Sequence, residues 1–322
     1  MIGAIIGDIV GSRFEWDNHR SKDFDLLTHK CFFTDDSVMS LAVCDALMKC
    51  QGDYSDLGEQ AIRSMQSVGR PYPHCGYGGS FQRWMYSDNP APYNSYGNGA
   101  AMRVSGCGYV GRTIDEVKQL SRSVTEVTHN HPEGIKGAEA TAVAVFLART
   151  GKSLIEIQDY IIKNYYPLGF TLDSIRETYR FNETCQDTVP QALEAFFEST
   201  NFEDAIRNAI SIGGDSDTLA AITGSVAEAY YGVPTSVRKH ALTFLDERLL
   251  KILLEFENRY PAKIEKKNET GSVGISPSTG MKVRTGGRAE MMESAMDVAD
   301  LELDASTAHP EETTSQKLFS HL

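Results

Sequence analysis

Three stretches of the chain are apolar almost all the way round a helical wheel. They are residues 37–50 (Ser-Val-Met-Ser-Leu-Ala-Val-Cys-Asp-Ala-Leu-Met-Lys-Cys), 135–149 (Ile-Lys-Gly-Ala-Glu-Ala-Thr-Ala-Val-Ala-Val-Phe-Leu-Ala-Arg) and 217–231 (Asp-Thr-Leu-Ala-Ala-Ile-Thr-Gly-Ser-Val-Ala-Glu-Ala-Tyr-Tyr). Apolar character on every face at helical length predicts buried helices. The last of them stops before Gly232 and Pro234, an ordinary helix end. The Ala and Gly content would let these helices approach closely. Amphipathic patterns predict further helices at 113–128, 153–163, 187–199, 202–211 and 236–258. The Gly- and Tyr-rich stretch 69–111 reads as loop with short helices. Alternating strand patterns are nearly absent, so the expected fold class is all-α, one multi-helix domain over residues 1–262.

Composition changes after Pro261. Residues 263–322 are rich in Lys, Glu, Ser, Thr and Gly, with Phe319 the only aromatic. Such a stretch buries too little apolar surface to offset chain entropy, which predicts a disordered tail, with a transient helix at 289–303. There is no internal repeat.

The whole chain has 322 residues, 31 basic against 44 acidic, and a net charge of -13. That balance argues against nucleic acid as the main partner, because phosphate binding needs a basic footprint. Cys31, Cys44, Cys50, Cys75, Cys107 and Cys185 form no C-x-x-C pair and no zinc spacing; they read as reduced thiols of a cytoplasmic protein. The apolar start lacks a basic region and meets Asp8 early, so it is not read as a signal peptide. No stretch approaches the length of a membrane span. The sequons at Asn182 and Asn268 read as chance matches, and a monomer is the expected state.

Against this background two acidic clusters stand out. Thr34-Asp35-Asp36-Ser37 and Gly213-Gly214-Asp215-Ser216-Asp217-Thr218 each open an apolar helix. Taken singly, such a cluster is an N-cap with acidic first-turn residues. Taken together, several carboxylates opening apolar helices are costly to bury unless a cation neutralises them. An oxygen-only cage suits a hard divalent cation. Glu15 follows a Gly-punctuated helix start, between Phe14 and Trp16. It reads either as a surface ion pair with Arg13 or Arg20, or as a carboxylate lining a cleft. Gly76-Tyr77-Gly78-Gly79-Ser80 and Gly97-Asn98-Gly99 can present backbone N–H groups to a diphosphate, although neither matches a dinucleotide fingerprint or a P-loop. Thr128-His129-Asn130-His131 places two histidines in a turn, one expected to face substrate and the other the surface.

These landmarks carry a family resemblance. Gly7-Asp8, Gly11, Glu15, Thr34-Asp35-Asp36-Ser37, Gly97-Asn98-Gly99-Ala100, Thr128-His129 and Gly213-Gly214-Asp215-Ser216-Asp217-Thr218 occur in order over residues 1–235. The chain resembles the ADP-ribosylglycohydrolases, the family that includes dinitrogen reductase-activating glycohydrolase and the ADP-ribosyl-arginine and ADP-ribosyl-serine hydrolases. The resemblance implies an all-α orthogonal bundle holding two Mg²⁺ or Mn²⁺ ions. It implies Thr34, Asp35, Asp36, Asp215, Asp217 and Thr218 as metal ligands. Glu15 and Asp36 become the candidate catalytic residues, with Asn98, Gly99, His129, Gly78 and Ser80 along the ADP-ribose pocket. The implied substrate is an ADP-ribosylated protein or a small ADP-ribose adduct. Ser37 and Ser216 depart from threonines common in the family but keep the hydroxyl. The tail has no counterpart in the resemblance.

Two other classes compete. A non-catalytic ADP-ribose-binding or crystallin-like module would not need both acidic sets intact. A phosphohydrolase of the HD type would need several His-Asp ligands on separate helices, and only His129 and His131 lie near any motif.

Overall fold

The computed structural model describes residues 1–262. The expectations for 263–322, the helix at 289–303 included, lie outside the described residues. Fifteen α-helices follow one another: α1 (Ile2–Gly11), α2 (Asp35–Lys49), α3 (Leu57–Gly69), α4 (Gly79–Met85), α5 (Gly99–Met102), α6 (Ser105–Val110), α7 (Ile114–Thr125), α8 (Pro132–Arg149), α9 (Leu154–Asn164), α10 (Leu172–Ile175), α11 (Val189–Phe197), α12 (Phe202–Ser211), α13 (Ser216–Tyr231), α14 (Thr235–Leu242) and α15 (Glu247–Arg259). A single 3₁₀ turn, Cys185–Asp187, precedes α11. No strand occurs among the described residues, as the sequence pattern predicts.

The three all-round apolar stretches are the buried helices α2, α8 and α13. The fourth central helix, α1, has every residue buried. The sequence pattern alone marked only a helix start there. Its packing on α13 explains Gly3, Gly7 and Gly11, spaced four apart on one face. A Cβ at Gly7 would overlap the Ala220 carbonyl, and one at Gly11 would meet the backbone of Asp217. Without side chains on that face the two backbones come into contact, which fixes the start of α13 against the end of α1.

Two boundaries differ from expectation. The pattern over 236–258 forms two helices, because Asp246 accepts from Leu249 N at 2.9 Å and caps a fresh start for α15. The 187–199 pattern starts as a helix only at Val189, with Pro190 in the first turn, where its missing N–H does no harm. Helix α3 carries buried Leu57, Ala61, Ser64, Met65 and Val68 at helical spacing, a signal the pattern reading passed over. No helix among the described residues is long and apolar enough to cross a membrane.

Candidate metal centre and active site

Asp8 is the fixed point of the site. It is fully buried on α1 and turned to the start of α2. It accepts hydrogen bonds from Thr34 N at 2.9 Å, Thr34 Oγ1 at 2.7 Å, Ser37 N at 3.1 Å and the Ser37 hydroxyl. The first turn of α2 therefore docks on α1 through a carboxylate rather than through apolar packing. Thr34 also caps α2, accepting from Asp36 N at 3.3 Å, so the simple capping reading of this cluster holds alongside the functional one.

Asp36 and Asp217 complete the group. Carboxylate oxygens of Asp8, Asp36 and Asp217 lie within 4.8 Å of one another, all three residues buried. A second group of the same compactness joins Glu15, Asp215 and Asp217. Thr218 Oγ1 donates to Asp36 Oδ2 at 3.2 Å, and Asn98 Nδ2 donates to Asp215 Oδ2 at 2.6 Å. Among the described residues, none of these carboxylates pairs with a Lys or Arg.

The electrostatic result follows. Burial, then the charge of Asp217, holds Asp35 and Asp36 well above the ordinary carboxylate range. Burial, then Asp215, does the same to Asp217. Glu15 is pushed up to about 8 by burial first and then by Asp217, Asp8 and Glu183. For Asp8 burial also leads, partly opposed by the bonds from Ser37 and Thr34. Buried like charges repel unless a cation is shared between them. Asp36 Oδ1, moreover, is buried with no partner. An unpartnered carboxylate oxygen inside an all-oxygen cluster fits a hard divalent cation.

The turn that carries Asp215 depends on two glycines. Gly213 and Gly214 have φ of +69° and +81°, a left-handed pair that other residues adopt only under strain. A Cβ on Gly214 would overlap the Tyr179 ring. Asn18 ties this turn to the Glu15 loop: its Nδ2 reaches Glu15 O at 3.0 Å and Gly214 O at 2.9 Å, and its Oδ1 accepts from Gly214 N at 2.9 Å. Arg20 donates to Ile212 O and Tyr179 O, both at 2.7 Å, and Arg13 donates to Thr28 and to the Asp25 carbonyl. Both guanidiniums are thus engaged with the chain, and the ion-pair reading of Glu15 falls away.

Above the carboxylates lies a cavity of about 310 Å³. It is lined by Glu15, Asp35, Asp36, Asp215, Asp217 and Thr218, and by Gly78, Ser80, Asn98, Gly99 and His129. Every predicted site residue is there except Thr34, whose hydroxyl is turned to Asp8.

Comparison with known proteins fits this geometry. The ADP-ribosylglycohydrolase family matches residues 1–263. The chain belongs to the ADP-ribosylglycohydrolase family. That family and its named relatives are glycoside hydrolases. Human ADP-ribosylhydrolase ARH3 is 25% identical, over 72% of this chain and 84% of the relative. The ADP-ribosylarginine hydrolase Tri1 of Pseudomonas putida is 26% identical, over 81% and 77%. The ADP-ribosyl-[dinitrogen reductase] glycohydrolase of Rhodospirillum rubrum is 28% identical, over 62% and 69%. A solved structure titled ADP-ribosylglycohydrolase-related protein complex superposes with a TM-score of 0.56 at 22% identity, covering 80% of this chain and 95% of its own, and so shares the ADP-ribosylglycohydrolase fold.

Several residues of the site escaped sequence reasoning. Asp8 was a landmark only, although a lone carboxylate in an otherwise apolar helix was itself the signal for a buried partner set. Arg103, a single charge after Gly-Ala-Ala-Met, is 1% exposed and lines the cavity with Tyr93 and Glu183. His131, expected at the surface, is half-buried and caps α8 by accepting from Glu133 N at 3.1 Å.

Proposed function

We propose that this ADP-ribosylglycohydrolase hydrolyses the bond between the anomeric ribose carbon of ADP-ribose and a modified arginine or serine side chain. The observation that carries this reading is the pair of carboxylate groups sharing Asp217 beside the cavity, none of them in an ion pair with Lys or Arg among the described residues. Two groups suit two ions, Mg²⁺ or Mn²⁺, which Asp35, Asp36, Asp215, Asp217 and Thr218 would hold, with Asp8 in the first group and the Thr34 hydroxyl tied to Asp8. When bound, the cations supply Lewis-acid charge that balances the carboxylates and makes water more acidic.

The chain's own residues do the rest. Glu15, which lines the cavity beside Asp215 and Asp217, is placed to accept the proton of the attacking water. Asp36 is its partner in that role. Departure of the side chain leaves oxocarbenium-like charge at the anomeric carbon, which an acidic floor favours. Gly78, Ser80, Asn98, Gly99 and His129 also line the cavity, suited to orient the diphosphate and hold the reacting carbon in place. The cavity volume falls near the lower end of the roughly 300–1,000 Å³ usual for small-molecule sites. Six unpaired cysteines support a reducing compartment such as the cytoplasm.

Calorimetric titration with ADP-ribose, with and without Mg²⁺, tests the reading. Saturable binding that weakens in His129→Ala supports it. An absence of binding in both conditions contradicts it.

A further inference from the structure

Arg103 is a fully buried guanidinium without a carboxylate partner among the described residues, and its Nε has no hydrogen bond. A charge in that position needs a use. Its Nη2 donates to Thr128 Oγ1 at 2.5 Å and lies 3.1 Å from His129 Nδ1. The Thr128 hydroxyl lies 2.7 Å from the same Nδ1. A guanidinium carries donors only, so the Arg103 contact forms only with Nδ1 as acceptor; the Thr128 hydroxyl, which also reaches Thr125 O at 3.3 Å, is compatible with that assignment. A proton on Nδ1 would set N–H against N–H.

The other ring nitrogen faces the opposite way. His129 Nε2 has no hydrogen-bond partner among the described residues. A Cβ at Gly97 or at Gly99 would stand 3.5 Å from it, so the two glycines keep Nε2 uncovered. His129 and both glycines line the cavity. We propose that Arg103 is a positioning residue: it fixes His129 as the neutral tautomer with its one ring proton on Nε2, presented to an anionic oxygen of the ligand's diphosphate. The identity of the ligand rests on the proposed function; the tautomer does not.

The groups around the ring agree. Tyr93 lies 5.9 Å from it, centroid to centroid, and burial raises that phenol, keeping it neutral. Glu133, next to Gly134, where an added Cβ would meet His129, is paired with Lys136. Asp35 acts on Arg103 rather than on the ring. Burial first, and then Arg103, holds His129 well below the ordinary histidine value. The donor on Nε2 therefore persists through the physiological pH range, and a diphosphate can bind and leave without a proton being gained or lost.

NMR of the whole protein labelled with ¹⁵N-histidine tests the proposal, with His129→Gln assigning the resonance. The expected result is a single Nε2–H tautomer that does not titrate between about pH 8 and about pH 5, against an ordinary histidine pKa near 6.5. In Arg103→Met the ring should lose its fixed tautomer, and the Kd for ADP-ribose should rise about tenfold, the scale of one hydrogen bond. Arg103→Lys, which keeps a donor, should recover most of both. An Nδ1–H tautomer, or titration near 6.5, in the unaltered protein overturns the proposal even if Arg103→Met does not fold. A fixed tautomer whose resonances ignore ADP-ribose overturns the ligand assignment and leaves the role of Arg103 standing.

Discussion

Asp8 and Asp217 come from opposite ends of the folded chain, yet their carboxylates lie within 4.8 Å of each other. The glycine face of α1 brings them together, because only there can the backbones of α1 and α13 touch. Close helix packing and the acidic site are one construction: the contact that joins the helices also forces the charges together. The fold is thereby left with a repulsion that a divalent cation would relieve.

Asp217 belongs to both carboxylate groups. Asp217→Asn should lower ADP-ribose release by at least about 100-fold, beyond the range seen when a ligand's supporting shell is removed. It should not lower the melting temperature of the metal-free protein, since it removes a buried like charge. Thermal melts with and without Mg²⁺ check this. A clear fall in helical content at room temperature would contradict it.

Asp8 faces four donors, from Thr34 and Ser37. Asp8→Asn turns an amide toward those donors and frees Thr34 from its place beside Asp36. Metal affinity should weaken by about 10- to 100-fold, as for other supporting residues. Calorimetric titration with Mn²⁺ reads it, and unchanged affinity would show that Asp8 only packs.

Without metal, stability should fall as pH rises. Glu15 is raised from 4.5 to about 8, and Asp36 and Asp217 move in the same direction. The folded protein thus binds more protons than the unfolded chain between those values, so its stability is greatest below about pH 4 to 5 on this account and is lost as pH passes through the folded pKa. Melting temperatures in EDTA should drop between about pH 5.5 and about pH 8, and saturating Mg²⁺ should flatten the slope. A melting temperature in EDTA that climbs with pH over that interval would refute it.

Gly7→Ala probes the packing. Its Cβ would overlap the Ala220 carbonyl, and backbone cannot move aside as a flexible side chain would. Overpacking of this kind costs about 1–3 kcal/mol or more. The denaturant midpoint should fall accordingly, with activity lost in parallel because the Asp8–Asp217 contact opens. A midpoint equal to that of the parent protein would mean that the helices do not need this approach.

Much of the fold was legible because its central helices are apolar on every face, a local signal. The paired acidic helix starts were legible for a related reason: carboxylates at the edge of such helices conflict with burial unless something compensates. The break between 242 and 247 was not legible, since the apolar period runs through it and only the Asp246 cap marks the fresh start of α15. Arg103 was missed because its partners come from a distant segment, and His131 is less exposed than expected because it caps α8. Arg103 meets Thr128 and His129 across the bundle, a contact that no sequence spacing records.

The measurement that tests the central claim most directly is release of free ADP-ribose from arginine- and serine-ADP-ribosylated proteins, in Mg²⁺ and in EDTA. Release from at least one substrate that stops with EDTA and returns with added Mg²⁺ is the predicted result, and it identifies the linkage. Release that continues undiminished in EDTA, or none from either substrate while ADP-ribose still binds, would contradict the account.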